Sequence, residues 1–353
     1  MLIEELRKRG IPDFMPASAA GWPERRKKIL DILQREEYGY LPPACKVSFE
    51  VTKVEKDLYG GKGTRIDAAL HCELPNREFV FPATALIPKS ACPVPAVLLI
   101  SFANVIPSKN LPAEELLDNG IAVFTFYYGS VVPDNADAFN AELPRILFGD
   151  RRGPSDPGTI AMWAWGASRV MDWAMTFDTV QKDHIAVVGQ SRFGKTALFA
   201  GAMDERFAIA YSNDSGCCGA ALSRGKIGEH FSDITGLFPY WFCENFLKYS
   251  DGNEDGFPMD QDALLASVAP RMVYVASSEE DTWSDPRSEY LSVVSASRIW
   301  ELLGRKGAGA PDRYLQANEA LHNGDIGYHV RSGTHTLNRD DWHYFLSYLK
   351  THL

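Results

Sequence analysis

A serine, a late histidine and two loop acids stand in this chain where acyl-transfer chemistry could use them. An apolar run, His184 to Val188, ends in Gly189-Gln190-Ser191, and a helix-forming stretch, Lys195 to Met203, follows at once. A strand that breaks directly into a helix exposes the serine hydroxyl at the end of a sheet. It also aims the free N–H groups of the helix start at the reacting carbon, the arrangement of a nucleophile elbow. Gly189 suits a turn with little room two residues before the serine. Position 193 is Phe where the common G-x-S-x-G pattern has Gly, and Gly194 comes one residue later.

A serine needs a base within hydrogen-bond reach and an acid that orients the base. In the chain order Ser, acid, His, the base comes late, which leaves His322, His329, His335, His343 and His352. His335 is favoured because it follows Arg331-Ser-Gly333-Thr334 in a loop ahead of a helix-like segment, Asp340 to His352. His329 lies within a possible strand. Two acids qualify as the third member. Asp214 follows the strand after the elbow helix, and Asp281 follows the next strand. Arg192 directly succeeds the serine at a helix start, where the helix dipole disfavours a cation. That placement suggests a guanidinium set to meet an oxyanion. Lys195 adds a second cation, so the expected substrate is rich in oxygen or acidic.

The elements that must hold these residues are legible in outline. Residues 20–39 read as a helix, and residues 46–87 alternate as antiparallel strands separated by Gly60-Gly61-Lys62-Gly63 and Pro75-Asn76. From Pro95 onward, solid apolar runs (Ala96–Ser101, Ile121–Phe126, Ile185–Val188, Phe207–Tyr211, Met272–Ala276) alternate with helical segments at 112–118, 158–176, 195–203 and 286–303. Strands buried on both faces read this way. The expectation is an α/β protein with a mostly parallel central sheet, antiparallel N-terminal strands and helices on both faces. One domain is expected over 1–353, with 1–90 as N-terminal helix and strands. Residues 215–270, rich in aromatics such as Phe238, Tyr240 and Trp241, read as a helical insertion near the active face.

Composition narrows the partners. The chain has 353 residues and a net charge of −10, which argues against nucleic acid or anionic membrane, since phosphates need a basic face. No apolar run reaches the roughly 18 residues of a membrane span. The charged start shows no signal peptide, so the expected location is cytoplasmic, or secreted if a leader has been removed. The six cysteines show no C-x-x-C spacing, so free thiols are expected, with a bridge from Cys217 or Cys218 to Cys243 as the alternative. No metal site or cofactor is expected, because His and acidic residues never fall in ligand spacing.

Gly189-Gln-Ser191-Arg192-Phe-Gly194-Lys195 resembles the G-x-S-R-x-G-K signature of carbohydrate esterase family 15, the glucuronoyl esterases of the α/β-hydrolase superfamily. Further likeness to the bacterial branch lies in Ser212–Arg224, Gly228-Glu229, Phe238–Cys243, Ala269–Arg271, Trp283–Pro286 and Arg331-x-Gly333-x-His335. The resemblance covers about residues 20–353. It implies a Ser-His-acid esterase for (4-O-methyl-)glucuronic acid esters, as in the lignin–carbohydrate linkages of glucuronoxylan. Ser191 would be nucleophile, His335 base and Arg192 part of the oxyanion hole. Lys195, Glu229 and Trp283 would contact the sugar. Family members place the acid at either loop, and Asp214 is preferred over Asp281 here. Two alternatives stand beside this reading: an acetyl esterase for acetylated sugars or xylan, and a non-catalytic carbohydrate-binding protein on a hydrolase fold.

Overall fold

The computed structural model describes residues 1–353. The strands are β1 (Lys46–Asp57), β2 (Gly63–Glu73), β3 (Glu78–Pro88), β4 (Val94–Ser101), β5 (Ala122–Tyr127), β6 (Val180–Gln190), β7 (Ile209–Asn213), β8 (Met272–Ser278), β9 (Glu319–Leu321) and β10 (Ile326–Arg331). They form one ten-stranded sheet in the order β1-β2-β3-β5-β4-β6-β7-β8-β10-β9. The pairs from β5 through β4, β6, β7 and β8 to β10 are all parallel. The front end β1-β2-β3-β5 and the edge pair β10-β9 are antiparallel. The fold is thus the expected mixed α/β one with a largely parallel centre.

Side-chain alternation explains why helices cover both faces. On β4, Ala96, Leu98 and Ile100 join one core while Val97 and Leu99 join the other, and β6 divides Ile185 and Val187 from Ala186 and Val188 in the same way. The larger core lies under the helices Thr159–Ala174, Arg192–Met203 and Pro286–Leu302. The smaller lies under Ala113–Asp118 and Arg339–His352. At roughly 25 cal/mol per Å² of apolar surface removed from water, these two cores supply the main favourable contribution to folding.

One local reading shifts. The N-terminal helix runs Trp22–Ile32 and then widens into a π-helix over Leu33–Tyr38. Residues 215–270 contain no strand. They fold into the helices Phe231–Leu237 and Gln261–Ala266 and several 3₁₀ turns, among them Pro239–Trp241. All six cysteines are free, so the bridge to Cys243 is not formed. No helix is long and apolar enough to cross a membrane.

The strand order reverses around β4, which lies between β5 and β6. Open α/β sheets bind ligands beyond the strand C-termini near such a reversal. Ser191, Asp214, Asp281 and His335 follow the C-terminal ends of β6, β7, β8 and β10 in turn.

Candidate active site

Ser191 sits between β6 and the helix Arg192–Met203 with φ 60° and ψ −127°. Such a conformation costs a non-glycine residue about 1–3 kcal/mol and persists only where its surroundings fix it. Here the Ser191 N–H donates to Asn213 O at 2.8 Å, and Gly194 N–H returns to Ser191 O at 2.8 Å. The turn is tight enough that a Cβ at Gly189 would lie 1.9 Å from the Phe193 carbonyl oxygen. Phe193 is fully buried, with its ring 4.4 Å from Phe102, 5.0 Å from Tyr128 and 5.1 Å from Trp163. The departure from G-x-S-x-G is therefore a packing solution. An aromatic plug anchors the helix start where other elbows use a glycine.

His335 is carried by the loop between β10 and the helix Arg339–His352, and its ring is 41% exposed. Its Nδ1 is 2.6 Å from Asp281 Oδ2. Burial pushes the Asp281 carboxyl up, but hydrogen bonds from His335 and Ser284 outweigh it and hold the group below its usual value. Asp281 is therefore an ionised acceptor. It fixes Nδ1 as the protonated nitrogen and leaves Nε2 as the basic one.

The geometry favours Asp281 over Asp214, the acid preferred from sequence. Asp214 is only 1% exposed. Its Oδ1 accepts from Ser278 N at 2.7 Å, and its Oδ2 accepts from Ser278 Oγ at 2.7 Å and Thr336 N at 3.2 Å. Its carboxylate, that of Asp281 and the His335 ring each place an atom within 4.8 Å of the others. Asp214 thus lies close to the histidine but is spent on Ser278, at the end of β8, and on the Thr336 N–H of the His335 loop. Burial, with the nearby Glu289, pushes its carboxyl up to about 8. The other late histidine weighed, His329, is buried on β10 against Asp341 at 3.0 Å and the Tyr274 hydroxyl at 2.9 Å. Burial lowers its pKa, with Asp341 opposing.

Arg192 is neutralised by a residue the sequence did not single out. Its guanidinium pairs with Asp134, whose other oxygen accepts from Trp241 Nε1 at 2.6 Å. The Arg192 guanidinium carbon lies 4.8 Å from the Trp241 ring, 5.4 Å from Phe238 and 5.8 Å from Phe102. Phe238 and Trp241 are themselves stacked at 4.0 Å. The Nε–H of Arg192 is buried without a protein partner. The aromatic-rich stretch 238–242 was visible in the sequence as a cluster. Its role as the wall behind Arg192, and that of Asp134, depend on long-range packing with no local signature.

Lys195 is more enclosed than its sequence position suggests. It is 3% exposed, its Nζ donates to Ser215 O at 2.5 Å, and it lies 5.9 Å from the Trp241 ring. Glu229 is 7% exposed and Trp283 50%. Their loops are joined by Glu229 N–H to Trp283 O at 3.0 Å. Gly228, with φ +73°, permits that approach, since a Cβ there would lie 2.4 Å from the Trp283 oxygen.

Comparison with known proteins identifies the family. The family model described as glucuronyl esterase of fungi matches residues 71–304. A carbohydrate esterase designated MZ0003, from an unknown prokaryotic organism, is 40% identical over 68% of this chain and 55% of its own length. A 4-O-methyl-glucuronoyl methylesterase from Podospora anserina is 29% identical over 81% of this chain and 57% of its own. The chain thus spans little more than half of these two relatives. The solved glucuronoyl esterase from Solibacter usitatus superposes with a TM-score of 0.88 at 34% identity, covering 95% of this chain and 94% of that one. This chain belongs to the glucuronoyl esterases, carbohydrate esterase family 15, of the α/β-hydrolase fold.

Proposed function

We propose that this protein is a serine esterase that hydrolyses esters of glucuronic acid through a Ser191–His335–Asp281 triad. The observation that carries the reading is the 2.6 Å bond between His335 and Asp281, at the sheet end where the strained Ser191 also stands. His335 Nε2 takes the Ser191 proton as Oγ attacks the ester carbonyl. The tetrahedral oxyanion faces the N-terminal N–H groups of the helix Arg192–Met203 and the Arg192 guanidinium, a donor held in place by Asp134 and the Trp241 wall. His335 then gives the proton to the departing alcohol. Water, activated by the same nitrogen, releases glucuronate and restores Ser191.

The reacting carboxyl is a neutral ester, so specificity rests on the sugar ring behind it, with Arg192 and Lys195, which share the Trp241 wall, as hydrogen-bond donors to its oxygens. Glu229 and the exposed Trp283 supply an acceptor and a stacking face for the sugar. An acetyl ester would leave this set without a sugar ring on the acyl side to hold. The relatives named 4-O-methyl-glucuronoyl methylesterase support the same substrate class. The test is a matched panel of methyl or benzyl glucuronate, the galacturonate ester and acetylated xylose, run with the parent enzyme and with Ser191→Ala. Cleavage of the glucuronate ester should dominate and vanish in the variant. Preferential cleavage of the acetyl ester, or full activity without Ser191, overturns the proposal.

A further inference from the structure

Asp341 is a buried carboxylate in the first turn of the helix Arg339–His352, and the proposed catalytic steps do not use it. Its Oδ2 accepts from Asn338 N at 2.7 Å and from Arg331 Nε at 2.9 Å. Its Oδ1 accepts from His329 Nε2 at 3.0 Å and from Asn213 Nδ2 at 3.1 Å. The bond with Asn338 belongs to the capping box of the helix, in which Asn338 Oδ1 accepts in return from Asp341 N. The other bonds leave the helix. His329 and Arg331 stand on β10, and Asn213 ends β7. Between those two strands lies β8, so no ladder of backbone hydrogen bonds joins them directly.

Each end of this bridge holds one member of the triad. The Asn213 carbonyl accepts from Ser191 N at 2.8 Å, which anchors the strained elbow. The Arg331 guanidinium donates to the carbonyls of Ser332, Thr334 and Thr336, on the loop that carries His335. We infer that Asp341 is a positioning residue for ester hydrolysis: through Asn213 and Arg331 it sets the distance between the Ser191 elbow and the loop of the base. The inference rests on the function proposed above for the roles of Ser191 and His335.

A helix cap, or a counter-ion for Arg331, would need only Oδ2. The Oδ1 side is ordered as well. A carboxylate paired with a guanidinium only accepts, so His329 Nε2 carries its proton. Burial lowers the His329 pKa, so Nδ1 is left to accept from the Tyr274 hydroxyl at 2.9 Å. The Tyr274 oxygen accepts in turn from His322 Nε2 at 2.9 Å. Donors on both oxygens therefore fix the plane of the carboxylate, and Asn213 and Arg331 are held to one another through it. A second, thinner link runs through Asp214, which accepts from Thr336 N at 3.2 Å. Cutting the Asp341 bridge should thus loosen the elbow against the base loop without releasing either. Small misplacements of reacting groups act on rate, so the loss belongs in the chemical step rather than in substrate binding.

The experiment measures how fast a small alkyl fluorophosphonate labels Ser191 in the intact enzyme, beside kcat and KM for methyl glucuronate. The probe reads the Ser191–His335 geometry without a sugar. Asn213→Ala cuts the bridge but leaves the helix cap and the Arg331 pair in place. It should slow labelling and lower kcat by about tenfold while KM stays within about twofold. Arg331→Lys should slow labelling by a similar factor. The double variant should lose no more than about thirtyfold, because cuts in one chain of contacts are not additive. Tyr274→Phe removes a buried hydrogen bond of the same network outside the path from Ser191 to His335. It should lower Tm and leave labelling within about twofold of the parent. Parental labelling of Asn213→Ala, a loss near the product of about a hundredfold in the double variant, or equal slowing in Tyr274→Phe overturns this inference alone. A parent enzyme that the probe does not label overturns the esterase proposal and this inference with it.

Discussion

Arg192 stands at a helix N-terminus, where the dipole opposes a cation, and Asp134 supplies the compensation. The pair is half-enclosed by Trp241, Phe238 and Phe102, where an unpaired charge would be costly. Asp134→Asn should keep the fold but release the guanidinium from its fixed position, lowering kcat by on the order of 10-fold to 10²-fold. Unchanged kcat in that variant would show that Arg192 is positioned by the aromatics alone. The two acids separate in the same way. Asp281→Asn removes the acceptor that sets the His335 tautomer and should lower kcat by roughly 10² or more. Asp214→Asn loses acceptors for Ser278 and Thr336, so it should cost about 1–3 kcal/mol of stability and much less in rate. The opposite order in steady-state kinetics would return the triad to Asp214. The candidate nucleophile and base stood out in the sequence because a strand–helix break and a glycine-bearing loop are local patterns. The acid was not. Asp214 and Asp281 both follow strands, and only three-dimensional packing reveals that Ser278 and Thr336 occupy one and His335 the other.

The loops do the positioning between these residues, and two of them depend on a single side chain or its absence. Arg331, 2% exposed, ends β10 and holds the His335 loop from inside. Its Nη1 donates to Ser332 O at 2.9 Å, its Nη2 donates to Thr334 O at 3.1 Å and to Thr336 O, and its Nε donates to Asp341 Oδ2 at 2.9 Å. Lysine has one short cationic head and cannot make this fork. Arg331→Lys should therefore lower kcat by about tenfold or more, in line with the sensitivity of rate to small misplacements. It should also speed amide exchange at 332–336, a readout that a remote loss of stability would not confine to this loop. Gly228→Ala acts on the other loop. Its methyl group would collide with Trp283 O and strain a positive φ, so KM for glucuronate esters should rise more than kcat falls. A change in kcat alone would separate Glu229 and Trp283 from sugar binding. At this scale the sequence was informative wherever periodicity is local. The alternation of residues 46–87, the solid apolar runs such as Ala96–Ser101 and Ile185–Val188, and the helical stripes put most elements near their observed ends. The edge strand Glu319–Leu321 escaped, because three half-buried residues carry no period of their own and pair only through β10.

Across the whole molecule, several carboxyls are buried without full compensation, and together they set how stability should respond to pH. Burial is the largest cause in each case: it pushes Glu37 and Asp214 up to about 8, and Asp262 and Glu289 up to about 7. Glu37 and Asp262 also keep an oxygen without a hydrogen-bond partner. A carboxyl whose pKa is higher in the folded than in the unfolded chain binds more protons when folded, so stability falls as pH rises from the unfolded value, about 4, through the folded one. Each such group contributes a slope of up to about 1.4 kcal/mol per pH unit. Glu36, Glu115, Asp204 and Asp281 are displaced downward by their partners, against burial in each case, and so lose stability only as pH falls below about 4. Stability should therefore be greatest near pH 4, with Tm falling by on the order of 10 °C between pH 5.5 and pH 8. Glu37→Gln lies outside the catalytic loops and keeps the shape of the side chain. It should flatten that decline while leaving ester hydrolysis at pH 7 unchanged. Thermal unfolding of both proteins across the range decides it: a Tm that rises toward pH 8, or an equal slope in the variant, would mean that these carboxyls are paired and ionised in the folded protein at neutral pH.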